Sequence, residues 1–356
     1  MSGCSDDAQN GRRTEVERDG SRGAKSRGCV KEARFYVQEE NDAVHCLLCP
    51  QDCHIKKGRA GFCGIRRNED GRLIAAMYGK VSAMQMDPVE KKPLYHFFPG
   101  KEIFSIGTVG CNFRCRFCQN WHLVEAKVSV EDLSPEDAVK AALVENSIGI
   151  AYTYNEPSVW YEYVFDTAKL AREKGLKNVL VTNGFINKEP LKELLPLIDA
   201  MNIDLKFIKD DLYRKYSSGR LEPVLETIRI SCASCHVEIT NLLVTDVNDS
   251  SENIAGIVDF VSSVNRSVPL HFSRYFPNYR MDNPPTPIDR LIEAYNIGKK
   301  KLDYVYAGNV SIPKGSDTCC PECKEVLIRR NYYRAEILNL KNGQCGKCSR
   351  PADIIL

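Results

Sequence analysis

Sixteen of the 356 residues are cysteine, and their grouping constrains the chain more than any other feature. They fall at 46/49/53/63, 111/115/118, 232/235 and 319/320/323/345/348, with Cys4 and Cys29 alone. Gaps of two and three residues let thiolates converge on one small centre, which is what metal chelation requires. A disulfide framework would need an oxidising compartment, and the chain opens on a polar stretch rather than an apolar export signal. The expected location is the cytoplasm. A net charge of +2 provides no field to gather nucleic acid, and no run of uncharged apolar residues is long enough for an integral membrane contact.

The pattern along the chain predicts four parts. Residues 1–30 are polar, rich in Gly and Arg and without periodicity, and are expected to be a disordered tail. Residues 31–100 form a Cys4 extension, too small and glycine-rich to bury much of a core without metal. From 101 to 315, short apolar runs at 103–107, 148–152, 178–182, 201–207, 236–244, 268–273 and 303–307 alternate with amphipathic segments. In one of these, Ser134 caps and Pro135 opens a helix; another, 158–175, closes on Gly175. This alternation predicts an α/β fold with a parallel sheet, closed fully or partly into a (β/α) TIM-type barrel with its working residues at the strand ends. Residues 316–356 place the alternating stretch 326–338 between two CxxC knuckles, which predicts a zinc-ribbon or rubredoxin-like module.

The set Cys111, Cys115 and Cys118 differs from the others in having three members. Three cysteines within eight residues can wrap a cubane, whose four irons then include one without a protein thiolate. An open iron suits chemistry on a bound small molecule; a zinc knuckle completed by His122 is the alternative.

The stretch CNFRCRFCQN, 111–120, resembles the signature of the radical S-adenosylmethionine superfamily, with Phe117 before the last cysteine. YTYNEP at 152–157, VTNG at 181–184 and DLK at 204–206 are similar to segments of activase-like members. At 245–246 the chain has Thr-Asp where the activases have Pro-Gly, which weakens any contact carried over from that loop. With CPxxC…GxxGxCG…R near 49–66, HFSRYFP at 271–277 and YAGNV at 306–310, the chain resembles the Memo- and AMMECR1-associated radical enzyme, similar to pyruvate-formate-lyase activase. The resemblance implies a [4Fe-4S] cluster on Cys111, Cys115 and Cys118, with S-adenosylmethionine on the open iron. It implies cofactor contacts from Phe117, Asn155, Glu156, Thr182, Asn183, Asp204, Lys206 and His271. One electron from a low-potential ferredoxin- or flavodoxin-type donor would cleave the sulfonium, and the 5′-deoxyadenosyl radical would take hydrogen from a substrate. That substrate is a small molecule or lipid; the alternative is a glycine of a glycyl-radical protein.

Cys46, Cys49, Cys53 and Cys63 have four-ligand arithmetic and call for zinc or a second iron–sulfur centre, with His45 and His54 beside it or on the surface. Cys320, Cys323, Cys345 and Cys348 form a four-thiolate knuckle pair for zinc or a rubredoxin-like iron, leaving Cys319 out. Cys232 and Cys235 read as packing thiols or a redox pair.

Overall fold

The computed structural model describes residues 31–125 and 128–356; the expected tail, with Cys4 and Cys29, lies outside them. Its largest sheet has eight strands: β1 (Ala83–Pro88), β2 (Glu102–Gly107), β3 (Gly149–Tyr152), β4 (Lys177–Thr182), β5 (Ala200–Asp204), β6 (His236–Leu243), β7 (Leu270–Arg274) and β8 (Val305–Gly308). They lie side by side in chain order. β2 to β8 are parallel and β1 runs antiparallel to β2. A doubly wound sheet reverses its strand order at a switch point. This unreversed order, with β1 and β8 not paired to each other, is that of a partial TIM-type barrel.

The helices α1 (Pro135–Val144), α2 (Tyr161–Glu173), α3 (Lys188–Leu194), α4 (Asp210–Ser217), α5 (Leu221–Cys232), α6 (Ser251–Val264) and α7 (Ile288–Lys299) fill the crossovers. Ser134 caps α1 through the amide of Asp137, with Pro135 in its first turn. Gly175 follows α2 at φ +77°, a conformation that costs an L side chain energy. The parallel strands are buried on both faces, which is why they read as continuous apolar runs rather than alternating ones.

Two of the boundaries that differ from the apolar runs have a local cause. The run 201–207 leaves the sheet after Asp204, because the Lys206 amide donates to the Tyr213 hydroxyl (3.0 Å) instead of to a neighbouring strand. The run 268–273 enters it only at Leu270, after Pro269, which has no amide hydrogen to give. Residues 31–100 hold short antiparallel pairs and also supply β1 to the main sheet.

At the N-terminal ends of β6 to β8 a polar cluster plugs the barrel. Glu238 accepts from the His96 amide (2.7 Å) and lies 3.0 and 2.7 Å from the Nε2 atoms of His236 and His271. His96 Nδ1 donates to the carbonyl of Asp353 (2.7 Å), so in the neutral ring Nε2 accepts from the Tyr306 hydroxyl (2.6 Å). Tyr306 in turn lies 2.8 Å from Thr318 Oγ1, which accepts from Arg330 (2.7 Å). The 316–356 segment is thereby fastened to the barrel floor.

Burial pushes the His96 pKa down to about 3 from the ordinary 6.5. The unfolded chain therefore binds a proton that the folded one refuses, and stability present above pH 6.5 is lost as pH falls toward 3. The expected cost is roughly 1.4 kcal/mol per pH unit over that window. Denaturation midpoints against pH check it, and His96→Phe should flatten the slope.

Candidate active site

The loop of Cys111, Cys115 and Cys118 leaves the C-terminal end of β2, where a barrel presents its working residues. Its start is braced by Asn155, whose Oδ1 accepts from the Thr108 amide (3.0 Å) while Nδ2 donates to the carbonyl of Gly110 (3.0 Å). Gly110 sits at φ +85°, and a Cβ there would come within 2.6 Å of the Cys63 carbonyl oxygen, so no other residue fits. Farther along, the amides of Arg114 and Arg116 bond the carbonyls of Ser217 (2.8 Å) and Tyr216 (2.9 Å) at the end of α4. Cys115 Sγ lies 3.3 Å from Ser217 Oγ. The Phe113 amide donates to Cys111 Sγ (3.3 Å).

Burial raises the pKa of all three thiols. Burial pushes Cys118 up to about 11, with Cys115 adding to it. Burial, then Glu156 and Cys115, hold Cys111 well above the usual thiol range. Burial raises Cys115 too, opposed by the Lys206 ammonium. Three thiolates crowded into one half-buried loop are tenable only with a cationic centre among them, so the donor set fits a metal cluster.

The next strand ends close round this loop. Glu156, after β3, is buried; its Oε1 accepts from Thr182 Oγ1 (2.7 Å) and the Ser158 amide (3.0 Å), and its Oε2 from the Asn183 amide (2.8 Å). Burial raises its pKa, and these three donors work against that. Thr182 ends β4 and Asn183 follows it, and Asn183 Nδ2 donates to Asn112 Oδ1 inside the cysteine loop (2.8 Å). After β5, Lys206 Nζ lies 2.7 Å from Asp204 Oδ2. Burial opposes the charge on Lys206, but Asp204 and then Cys115 outweigh it and hold the ammonium well above its usual range. Phe117 packs edge-on against Phe207, ring centres 5.9 Å apart.

The structure thus gathers Phe117, Asn155, Glu156, Thr182, Asn183, Asp204 and Lys206 about the three cysteines, and leaves His271 apart, on Glu238 at the strand starts. Asn155 and Glu156 spend their polar atoms on the protein itself, so they order the loop. Ser217, Asn112 and Tyr154 complete the site and were not expected. Asn112 lies within the cysteine motif; Ser217 comes from 102 residues beyond Cys115, and only folding brings it there. Tyr154, at φ +72°, donates to Asp87 (2.6 Å) and accepts at its carbonyl from Asn120 (2.8 Å), tying the far end of the loop to the barrel interior.

Cys46 and Cys53 stand opposite each other on the paired strands Val44–Cys46 and Cys53–Ile55. Their neighbours His45 and His54 share the other face, stacked at 4.1 Å and paired with Asp52 and Glu39. Phe62 and Cys63 lie on the Cys111 loop: Arg114 donates to the Phe62 carbonyl, and Gln51 Nε2 donates to that of Asn112 (2.7 Å). Cys320 and Cys348 are 3.6 Å apart at sulfur, as are Cys323 and Cys345; Cys319 is outside this group. Burial pushes Cys232 and Cys235 up to about 12, which leaves both protonated at neutral pH and speaks against a reactive pair.

Parallel strands in chain order, a three-thiol loop after the first of them and polar or charged groups at the ends of the next three define a barrel enzyme with a metal-binding active centre. The chain belongs to the radical SAM superfamily, whose family model matches residues 105–261. The uncharacterized protein MJ0808 of Methanocaldococcus jannaschii is 44% identical over 336 residues, 92% of this chain and 100% of its own. The pyruvate formate-lyase-activating enzyme of Clostridium pasteurianum is 23% identical over 165 residues, covering 44% of this chain and 67% of its own. Among solved structures, a domain of pyruvate-formate lyase-activating enzyme from Bacteroides vulgatus aligns with a TM-score of 0.41 at 21% identity, over 45% of this chain and 99% of that one. Among the described residues no helix is long and apolar enough to cross a membrane.

Proposed function

We propose that Cys111, Cys115 and Cys118 ligate a [4Fe-4S] cluster with one iron open for S-adenosylmethionine, and that the enzyme takes a hydrogen atom from a small molecule or lipid. The observation that carries this reading is the half-buried three-thiol loop with Glu156, Asp204 and Lys206 closing on it. Bound there, the cofactors supply reductive cleavage to methionine and a 5′-deoxyadenosyl radical. The chain's part is positional. Asn155 and Ser217 hold the two halves of the loop, Glu156 locks the ends of β3 and β4 together, and Lys206 sets a positive charge beside Cys115. These restraints fix the reacting geometry and keep competing hydrogen donors away.

The test is anaerobic incubation of the reduced, reconstituted protein with S-adenosylmethionine. A changed electron paramagnetic resonance signal and release of 5′-deoxyadenosine support the reading; an unaltered signal with no release overturns it. Similarity to an activating enzyme favours a second reading, hydrogen abstraction from a glycine of a partner protein. The two part on whether 5′-deoxyadenosine release is stimulated by the small-molecule or the protein fraction of a host extract.

A cytoplasmic ferredoxin- or flavodoxin-type protein is the proposed electron donor. The C-terminal Cys4 set is proposed to hold zinc or a rubredoxin-like iron in a ribbon module: bonds of about 2.3 Å in a tetrahedron set sulfurs about 3.8 Å apart, close to the 3.6 Å seen. Metal analysis of the purified protein is expected to find one such ion per chain.

A further inference from the structure

We propose that Cys46, Cys49, Cys53 and Cys63 hold an iron–sulfur cluster, not a zinc ion, seated against the loop of Cys111. This goes beyond the proposed reaction and does not depend on it. Four-thiolate zinc draws its sulfurs into one tight tetrahedron, whereas a cluster binds its cysteines through different irons and spreads them. Among the described residues, only two groups of three or more metal-binding side chains have all ligand atoms within 4.8 Å of one another: Cys320/323/345/348 and Glu39/His45/His54. Neither Cys46/49/53/63 nor Cys111/115/118 contracts to that spacing. The N-terminal set therefore has the open geometry of the central loop rather than the closed geometry of the C-terminal knuckles.

The backbone explains the spread. Cys46 and Cys53 face each other across two strands, Cys49 comes from the turn between them, and Cys63 from a separate loop that turns through Gly61 and Gly64. The surroundings suit a cluster. Cys46, Cys49 and Cys63 are buried, and Cys53 Sγ accepts from the Phe62 amide (3.4 Å), a bond of the kind that tunes cluster sulfurs. The buried guanidinium of Arg66 acts electrostatically on Cys46 and Cys63, offsetting negative charge that four thiolates would place in the interior. Unlike zinc, such a centre accepts an electron, and it would do so in backbone contact with the Cys111 loop through Cys63 and Gly110.

The experiment replaces Cys111, Cys115 and Cys118 together by alanine, leaves the N-terminal set intact, and measures acid-labile sulfide in the anaerobically reconstituted full chain. Zinc and a rubredoxin-like iron carry no sulfide. Retention of about two or four sulfides per chain, for a [2Fe–2S] or [4Fe–4S] centre, is the expected result, with a paramagnetic signal on reduction. Complete loss of sulfide, with zinc in its place, overturns the proposal. Should the triple variant not fold, removing the N-terminal set instead, by Cys46→Ala with Cys49→Ala, decides: a fall of about two or four sulfides per chain from the wild type supports the second cluster, and unchanged sulfide overturns it. If instead the central loop holds no cluster, triple variant and wild type carry the same sulfide, so the two failures are told apart.

Discussion

Replacing Cys115 by alanine is expected to reduce 5′-deoxyadenosine release to that of a mixture without enzyme. Cys115 is the middle of the three proposed ligands, and its sulfur lies 3.3 Å from Ser217 Oγ and feels the Lys206 charge. Two thiols cannot hold a cubane with one further iron free, so the loss falls on cluster content as well as on rate. Chromatographic assay of 5′-deoxyadenosine together with iron analysis measures both. Ser217→Ala separates ligation from positioning: it keeps all three sulfurs, and should retain iron while changing the cluster's spectrum and slowing release. Release at the wild-type rate from the Cys115 variant would sink the assignment of this loop.

Arg66→Met should destabilise the fold by about 3–5 kcal/mol, the usual cost of stranding one member of a buried ion pair. Both side chains are almost fully enclosed, 2% exposed for Arg66 and 1% for Glu162. Arg66 NH1 reaches the two carboxylate oxygens of Glu162 at 2.9 and 3.0 Å, and the Arg34 amide adds a bond of 2.7 Å. Glu162 lies on α2 and Arg66 in the N-terminal Cys4 stretch, so this pair ties that stretch to the barrel wall. In Arg66→Met the Glu162 carboxylate keeps only the amide and must be buried charged or take up a proton. Replacing both, Arg66→Met with Glu162→Leu, removes the stranded charge and is expected to recover most of the loss. Equilibrium denaturation of the two singles and the double gives the coupling; equal losses in single and double would show that packing, not charge, sets the cost.

Much of this molecule is local and was legible in the chain. Strand and helix alternate at spacings that only a parallel sheet accommodates, and the strands are buried on both faces, so their apolar runs stand out. Ser134–Pro135 and Gly175 mark helix ends through conformations that depend on their own side chains. The cysteine loop could be read because its three thiols fall within eight residues after a strand. Cys320 rather than Cys319 belongs to the compact C-terminal group.

What spacing could not supply are the pairings across large separations. His271 opens a motif-like stretch at a strand, yet it faces Glu238 at the barrel floor, because β7 begins at Leu270 and its second residue lies near the N-terminal end. Asn155 and Glu156 look free to receive a ligand until folding brings Thr108, Gly110, Thr182 and Asn183 within hydrogen-bonding reach. Likewise, nothing in the order of residues places Ser217 on Cys115 or Cys63 against Gly110. The sequence by itself determined which groups can bind metal and in what numbers, since ligand count is a property of the chain. Only the tertiary structure decided how far apart the sulfurs of each set stand and which set borders which, because strands and loops remote in the chain set those distances.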